Sequence, residues 1–270
     1  MIVLDLDGTL TNSRKEITPR TKQALMQAQA KGIYVVLASG RPTYGIMPLA
    51  EELELKKYGG FILAFNGGKI INCTDSAVLF EQKLDEKLVP LLYVEALKAG
   101  MAILTYQGEG IAATDKENRY VQEEAFINKM PVVQYNDFLG QLVYPVNKCL
   151  IVGDPSPLHE LELRLAEKME GKMEVYRSAE YFIECVPRGI DKARSIDRLI
   201  TTLGIRREEI IACGDGYNDL SMIHFAGLGV AMANAAEDIR QKADFITLSN
   251  EEDGVAHVVE QFILSEKKDV

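Results

Sequence analysis

Asp5 and Asp7 lie two apart in Asp5-Leu6-Asp7-Gly8-Thr9, directly after the apolar run Ile2-Val-Leu. Residues two apart in an extended segment project to the same side, so both carboxylates can address one pocket, and two acids there invite a metal ion. Asp-Gly is also an ordinary turn after a strand. Asp5, however, interrupts a run that reads as buried, and burying a carboxylate without a partner is costly. A second apolar run ends in Ser39-Gly40-Arg41-Pro42. A hydroxyl and a glycine amide in front of a helix can hold a phosphate oxygen, although Ser beside Gly is also a routine helix cap. A third run ends in Gly214-Asp215-Gly216-Tyr217-Asn218-Asp219, which adds a carboxylate at a strand tip and two polar groups one helical turn later. Lys192 follows Gly189-Ile190-Asp191 at a predicted helix start, where a cation opposes the helix dipole. A lysine that faces the acids would account for that placement.

These tips need a scaffold, and periodicity supplies one. Ile2–Leu6 reads as a buried strand, and Thr18-Pro19 as the cap and first turn of a helix ending at Gly32. A strand over 33–38, a helix over 46–53 and a strand over 61–65 follow. The alternation is the pattern of a parallel sheet covered on both faces. It returns with a strand over 209–213, a helix over 217–226, a strand over 228–231, and a turn and helix over 247–263. Between these halves the texture changes. Helices are expected over 86–99, 116–129 and 158–170. Strands are expected over 102–105, 110–113, 148–152, 173–177 and 181–186. The expected organisation is a doubly wound parallel core from 1–82 and 185–270, with an inserted α+β domain over 83–184. Ligands of such sheets bind beyond the carboxyl ends of the strands, where every motif acid lies.

The chain has 270 residues, 47% hydrophobic and 26% charged, which suits one or two folded domains and excludes disorder. Thirty Lys and Arg against forty Asp and Glu give a formal charge of −10, so there is no global positive field for nucleic acid or an anionic membrane. The stretch Leu220–Ala236 lacks charged side chains but is interrupted by Ser221, His224, Gly227, Gly229 and Asn234, so no membrane span is expected. Met1 leads straight into the first apolar run without a basic stretch and small-residue cleavage site, and the expected compartment is the cytoplasm. Cys73, Cys149, Cys185 and Cys213 show no CxxC or metal-ligand spacing and are expected as free thiols, three of them in apolar strands.

Together the four segments resemble the haloacid dehalogenase (HAD) superfamily of phosphotransferases. DLDGT is similar to its first motif, Ser39 to the second, Lys192 to the third and GDGYND to the fourth. An insert between the second and third motifs resembles the larger α+β cap class. Asn66-Gly67-Gly68, Ala231-Met-Ala-Asn-Ala235 and the segment 250–256 are similar to Cof-type phosphatases. Ala193 and Ala233 stand where these relatives often carry glycine. The resemblance implies a Rossmann-like core with an inserted cap, and a phosphatase of small phosphorylated metabolites, with sugar phosphates favoured. It implies Asp5 as the nucleophile that forms an aspartyl-phosphate and Asp7 as the acid/base. It further implies Mg²⁺ on Asp5, Asp215 and the Asp7 backbone carbonyl, phosphate held by Leu6, Ser39, Gly40, Lys192 and Asn218, and Asp219 in support.

A phosphomutase on the same chemistry and a non-catalytic phosphometabolite sensor are the alternatives. No GxGxxG follows the first strand, which ranks a nucleotide-dependent oxidoreductase last. The core motifs touch only the phosphoryl group, so selection of the organic part is expected from the insert. Tyr106, Asp115, Lys148, Arg177 and Tyr181 are its candidate polar contacts.

Overall fold

The computed structural model describes residues 1–265, so the last five positions of the expected 185–270 segment lie outside the described residues. The strands are β1 (Ile2–Leu4), β2 (Val35–Ala38), β3 (Phe61–Ala64), β4 (Lys69–Asn72), β5 (Val78–Glu81), β6 (Ala102–Gln107) and β7 (Gly110–Ala113). They continue as β8 (Val132–Gln134), β9 (Cys149–Val152), β10 (Met173–Ala179), β11 (Phe182–Pro187), β12 (Ile211–Gly214), β13 (Leu228–Ala231) and β14 (Phe245–Ile246).

Two compact units result, Met1–Phe80 with Asp191–Val270, and Glu81–Ile190. The first is built on an eight-stranded sheet in the order β14-β13-β12-β1-β2-β3-β4-β5. From β14 to β3 every pairing is parallel. β4 turns back antiparallel on β3, an extension that the periodicity did not announce because Asn66-Gly67-Gly68 reads as a loop. The central strands β1, β2 and β3 are buried throughout, as continuous apolar runs in a doubly covered sheet must be. Thr18 caps the helix Pro19–Ala30 by accepting from Thr21 N–H, with Pro19 in its first turn. Asp191 caps the helix Lys192–Leu203 by accepting from Arg194 N–H at 3.0 Å.

The second unit holds a six-stranded sheet in the order β10-β11-β9-β6-β7-β8, antiparallel except for β7 beside β8. One face packs Ile103, Ile151, Ile183 and Cys185 against Leu92, Leu158 and Leu161 of the helices Val89–Lys98 and Pro155–Lys168. The expected insert was 83–184. β11 stays paired with β10 as far as Pro187, and the unit runs on to Ile190. All four cysteines are free thiols, with Cys149, Cys185 and Cys213 buried. Among the described residues no helix is long and apolar enough to cross a membrane.

Candidate active site

Register brings the first unit's motifs together. Leu4 of β1 pairs with Cys213 of β12 on one side and with Leu37 of β2 on the other. Asp5, Ser39 and Asp215 therefore leave three adjacent parallel strands at the same edge. The sequence placed Asp5 inside a strand, but β1 ends at Leu4. Asp5 N–H still donates to Cys213 O at 3.0 Å, and the chain then turns through Leu6 and Asp7. Gly8 makes this turn at φ +87°, and a Cβ there would lie 2.2 Å from Asp215 Oδ2, so only glycine lets the two loops meet.

Lys192 joins the acids from the start of its helix. Its side chain is fully buried, and its ammonium lies 2.6 Å from Asp5 Oδ1, 2.6 Å from Asp219 Oδ1 and 2.8 Å from Ala38 O. Three N–H donors meet three acceptors, which makes a buried charge tolerable. Burial alone would push the Lys192 pKa down, but the Asp219 and Asp5 charges outweigh it and hold the ammonium. Asp219 Oδ2 accepts from the N–H of Asp215 at 3.1 Å and of Gly216 at 2.9 Å, so this residue ties the fourth motif to Lys192. Burial pushes the Asp5 carboxyl well above its ordinary value, Asp219 and Asp215 push the same way, and Lys192 opposes them. Among the described residues only Lys192 donates to the Asp5 carboxylate, and it does so at Oδ1.

Asp215 accepts from Thr9 Oγ1 at 2.8 Å. Burial raises its pKa to about 6 despite that bond, with Asp219 adding to the rise. Asp7 faces different partners. Arg41 and Lys15 both bond its carboxylate, and together they outweigh burial and hold its pKa below the ordinary value. Ser39 is buried and its Oγ accepts from Arg41 N–H at 3.2 Å. The Leu6 side chain is buried, and its carbonyl accepts from the Thr11 hydroxyl at 2.9 Å. Asn218 donates from Nδ2 to Asn66 Oδ1 at 3.1 Å, and the Asn66 side chain also lies against Gly40.

One carboxylate oxygen from each of Asp5, Asp215 and Asp219 falls within 4.8 Å of the other two. A cluster of hard oxygen donors of this kind suits a divalent cation. The Asp7 carboxylate is not in the cluster. Both oxygens of Asp219 are engaged by Lys192 and backbone N–H groups, which leaves Asp5 and Asp215 as the freer donors.

A family model for haloacid dehalogenase-like hydrolases matches residues 2–259. The chain belongs to that family. A haloacid dehalogenase-like hydrolase from Bacteroides thetaiotaomicron has 53% sequence identity and a TM-score of 0.94, over 97% of this chain and 98% of that one. Phosphatase YwpJ of Bacillus subtilis is 31% identical, over 97% of this chain and 99% of its own length. The HAD subclass IIB sugar phosphatase BT4131 has 25% identity and a TM-score of 0.77, over 97% of this chain and 98% of that one. This protein is thus a hydrolase in the phosphatase branch of the haloacid dehalogenase family.

Sequence reasoning missed several residues around this HAD site. Arg41 and Lys15 were not assigned to Asp7. Asn234 donates to Gly8 O at 2.8 Å, and Asn250 donates to Thr11 O at 2.9 Å while its N–H bonds Asn234 Oδ1. Only the family-like Asn66-Gly67-Gly68 and Met-Ala-Asn-Ala strings hinted at Asn66 and Asn234. The insert's candidate contacts are engaged within the second unit. Lys148 pairs with Glu184 at 2.8 Å, its ammonium lies 5.3 Å from the Tyr106 ring centre, and the Tyr106 hydroxyl bonds Glu124. Arg177 pairs with Glu162 at 2.7 Å, Tyr181 stacks on Tyr120 at 5.0 Å, and Asp115 accepts from Glu117 N–H.

Proposed function

We propose that this HAD hydrolase is a Mg²⁺-dependent phosphatase of small phosphorylated metabolites, sugar phosphates foremost, working through an aspartyl-phosphate on Asp5. The observation that carries the reading is the buried Asp5, bonded by Lys192 through one oxygen, with Asp215 and Asp219 beside it. A phosphate monoester is anionic and resists an anionic nucleophile, so charge must be neutralised while the two are aligned. Lys192 supplies one fixed positive charge. Asp5 and Asp215, with the Asp7 carbonyl, would hold Mg²⁺, which supplies charge neutralisation on the phosphoryl oxygens when bound.

The steps balance on this chain's residues. The Asp5 carboxylate attacks phosphorus as the ester P–O bond breaks, and Asp7, protonated once it leaves the Arg41 and Lys15 contacts that otherwise hold it as an anion, gives that proton to the departing alkoxide. Water then attacks the phosphorus of the aspartyl-phosphate and passes a proton to Asp7. The bond between phosphorus and the Asp5 oxygen breaks, which restores the Asp5 carboxylate and releases phosphate. Ser39, Gly40 and Asn218 hold remaining phosphate oxygens, with Leu6 at the turn between the two acids. The unit Glu81–Ile190 selects the organic part.

The test is phosphate release from a panel of sugar, polyol and nucleotide monophosphates, with and without Mg²⁺, with isomers of each substrate quantified. Mg²⁺-dependent release, fastest for a sugar phosphate, is expected. Isomer interconversion without release would establish a phosphomutase instead, and silence across the panel a sensor.

The raised Asp215 pKa gives a second prediction. A folded-state value of about 6, above the ordinary one, means that the metal-free protein binds this proton more tightly than the unfolded chain does. The Asp215 contribution to metal-free stability therefore falls as pH rises through that window, while the anion that Mg²⁺ requires appears. The thermal shift caused by saturating Mg²⁺ should be small near pH 5 and complete by about pH 7.5, where a concentration of 100 Kd is worth about 2.7 kcal/mol. An equal shift at both values would remove Asp215 from the metal site.

A further inference from the structure

Beyond β3 the chain turns through Phe65, Asn66 and Gly67, all left-handed, at φ +55°, +55° and +94°. Glycine takes that region freely and asparagine tolerates it, but phenylalanine disfavours it, so residue preference alone does not hold this turn. Its surroundings do. Phe65 N–H donates to Arg41 O at 3.0 Å and Asn66 N–H to Ser39 O at 2.8 Å, while Gly67 O accepts from the buried Ser195 hydroxyl at 2.7 Å. The turn is thereby fixed to the Ser39-Gly40-Arg41 loop on one side and to the helix that carries Lys192 on the other.

One buried side chain is thus set between two motifs. The Asn66 amide lies over Gly40, where a Cβ would come within 3.3 Å of Nδ2, and its Oδ1 accepts from Asn218 Nδ2 at 3.1 Å. Asn218 is exposed, on the short turn Tyr217–Asp219. An exposed asparagine samples several rotamers, and holding it in one costs entropy. The bond to Asn66 selects one. It also sets the sense of the amide, because an acceptor oxygen on Asn66 must face the Asn218 nitrogen, and the Asn218 oxygen then lies over Gly216, where a Cβ would be 2.5 Å away. The amide nitrogen carries two hydrogens and this bond takes one, so the other is delivered in a set direction.

We propose that Asn66 is a positioning residue, which holds the Asn218 amide in the rotamer and sense that donates to a substrate phosphate oxygen. The inference rests on the reading of Asn218 as a phosphate ligand given above. It contrasts with a role in the backbone alone, in which asparagine stands at 66 because it tolerates φ +55°. Glycine separates the two roles. It takes that φ more freely than asparagine and carries no side chain.

The test titrates the Mg²⁺-loaded protein with inorganic phosphate by calorimetry and measures kcat/KM for 4-nitrophenyl phosphate. Asn66→Gly is expected to weaken phosphate binding and to lower kcat/KM, each about 3- to 10-fold, the scale on which ordering one side chain acts, while circular dichroism shows the parental fold. Asn218→Ala should lose at least as much, and Asn66→Gly should add nothing to it. Parental constants in Asn66→Gly beside a loss in Asn218→Ala would overturn the proposal, and so would a further loss in the double variant. Parental constants in Asn218→Ala would instead remove Asn218 from the phosphate site, which is the failure of the underlying reading. Should Asn66→Gly not fold, Asn66→Ser carries the same comparison, because it keeps a polar side chain beside Gly40 and withdraws the amide from Asn218.

Discussion

Lys192→Met is expected to destabilise the first unit by about 3–5 kcal/mol and to abolish turnover, because it leaves the buried Asp5 and Asp219 carboxylates facing each other without their cation. Both carboxylates lie within 2.6 Å of the lysine nitrogen, and that nitrogen supplies all three of its hydrogens to protein acceptors. The loss has a pH sign. Without the ammonium nothing opposes the burial that raises the Asp5 carboxyl, so Asp5 binds its proton more tightly than in the unfolded chain and the variant loses stability as pH rises. Urea unfolding should show a deficit that is larger near pH 8 than near pH 5.5. Lys192→Met combined with Asp219→Asn should recover part of it, since one buried charge goes with the partner. A single variant within about 1 kcal/mol of the parent at the higher pH would show that the charge cluster is compensated elsewhere.

Asp5→Asn should have the largest effect on activity. The amide keeps the shape of the side chain and can still accept from Lys192, which retains Asp219 and Ala38 as partners, so the fold is expected to persist. The nucleophilic anion is gone. Turnover should fall by about 10⁴-fold or more, the scale on which removal of a nucleophile acts in other hydrolases. No acid-stable label should be trapped on the protein from a ³²P-labelled substrate. The parent should show a transient label, and Asp7→Asn a longer-lived one, because that residue takes the proton from water in the second step. Near-parental turnover by Asp5→Asn would overturn the covalent mechanism, and a label on Asp5→Asn would place the nucleophile elsewhere.

How much of this was legible beforehand differs by element. Asp5, Ser39 and Asp215 could be read from the sequence because each follows a short apolar run in a chain whose periodicity alternates between strand and helix. In a parallel sheet the residue after such a run is delivered to one edge. Thr18-Pro19 announced a helix for an equally local reason. Asp191 capped its helix without periodicity having assigned it that task, and the β4 and β5 strands were not seen, since a short hairpin with exposed Val78 and Leu79 lacks the buried run that marked the others. The shift of Asp5 from a strand into a turn follows from Gly8, whose φ is a backbone property that residue type allows but does not impose.

What the sequence determined on its own was the inventory: an α/β core, an insert between the second and third motifs, and the acids, hydroxyl and lysine at strand and helix ends. Only the tertiary structure decided who meets whom. Lys192 is 187 residues from Asp5, and Arg41 is 34 from Asp7, so each contact depends on strand order, register and helix placement rather than on spacing along the chain. The lysine that the sequence assigned to phosphate is saturated by two carboxylates and a carbonyl, and Asp7, expected to share a pocket with Asp5 by two-residue alternation, is turned onto Arg41 and Lys15 instead. Local periodicity sets which face of an element is apolar. It carries no information about which distant charge will be brought against a buried carboxylate, because that choice is made by the packing of the whole sheet.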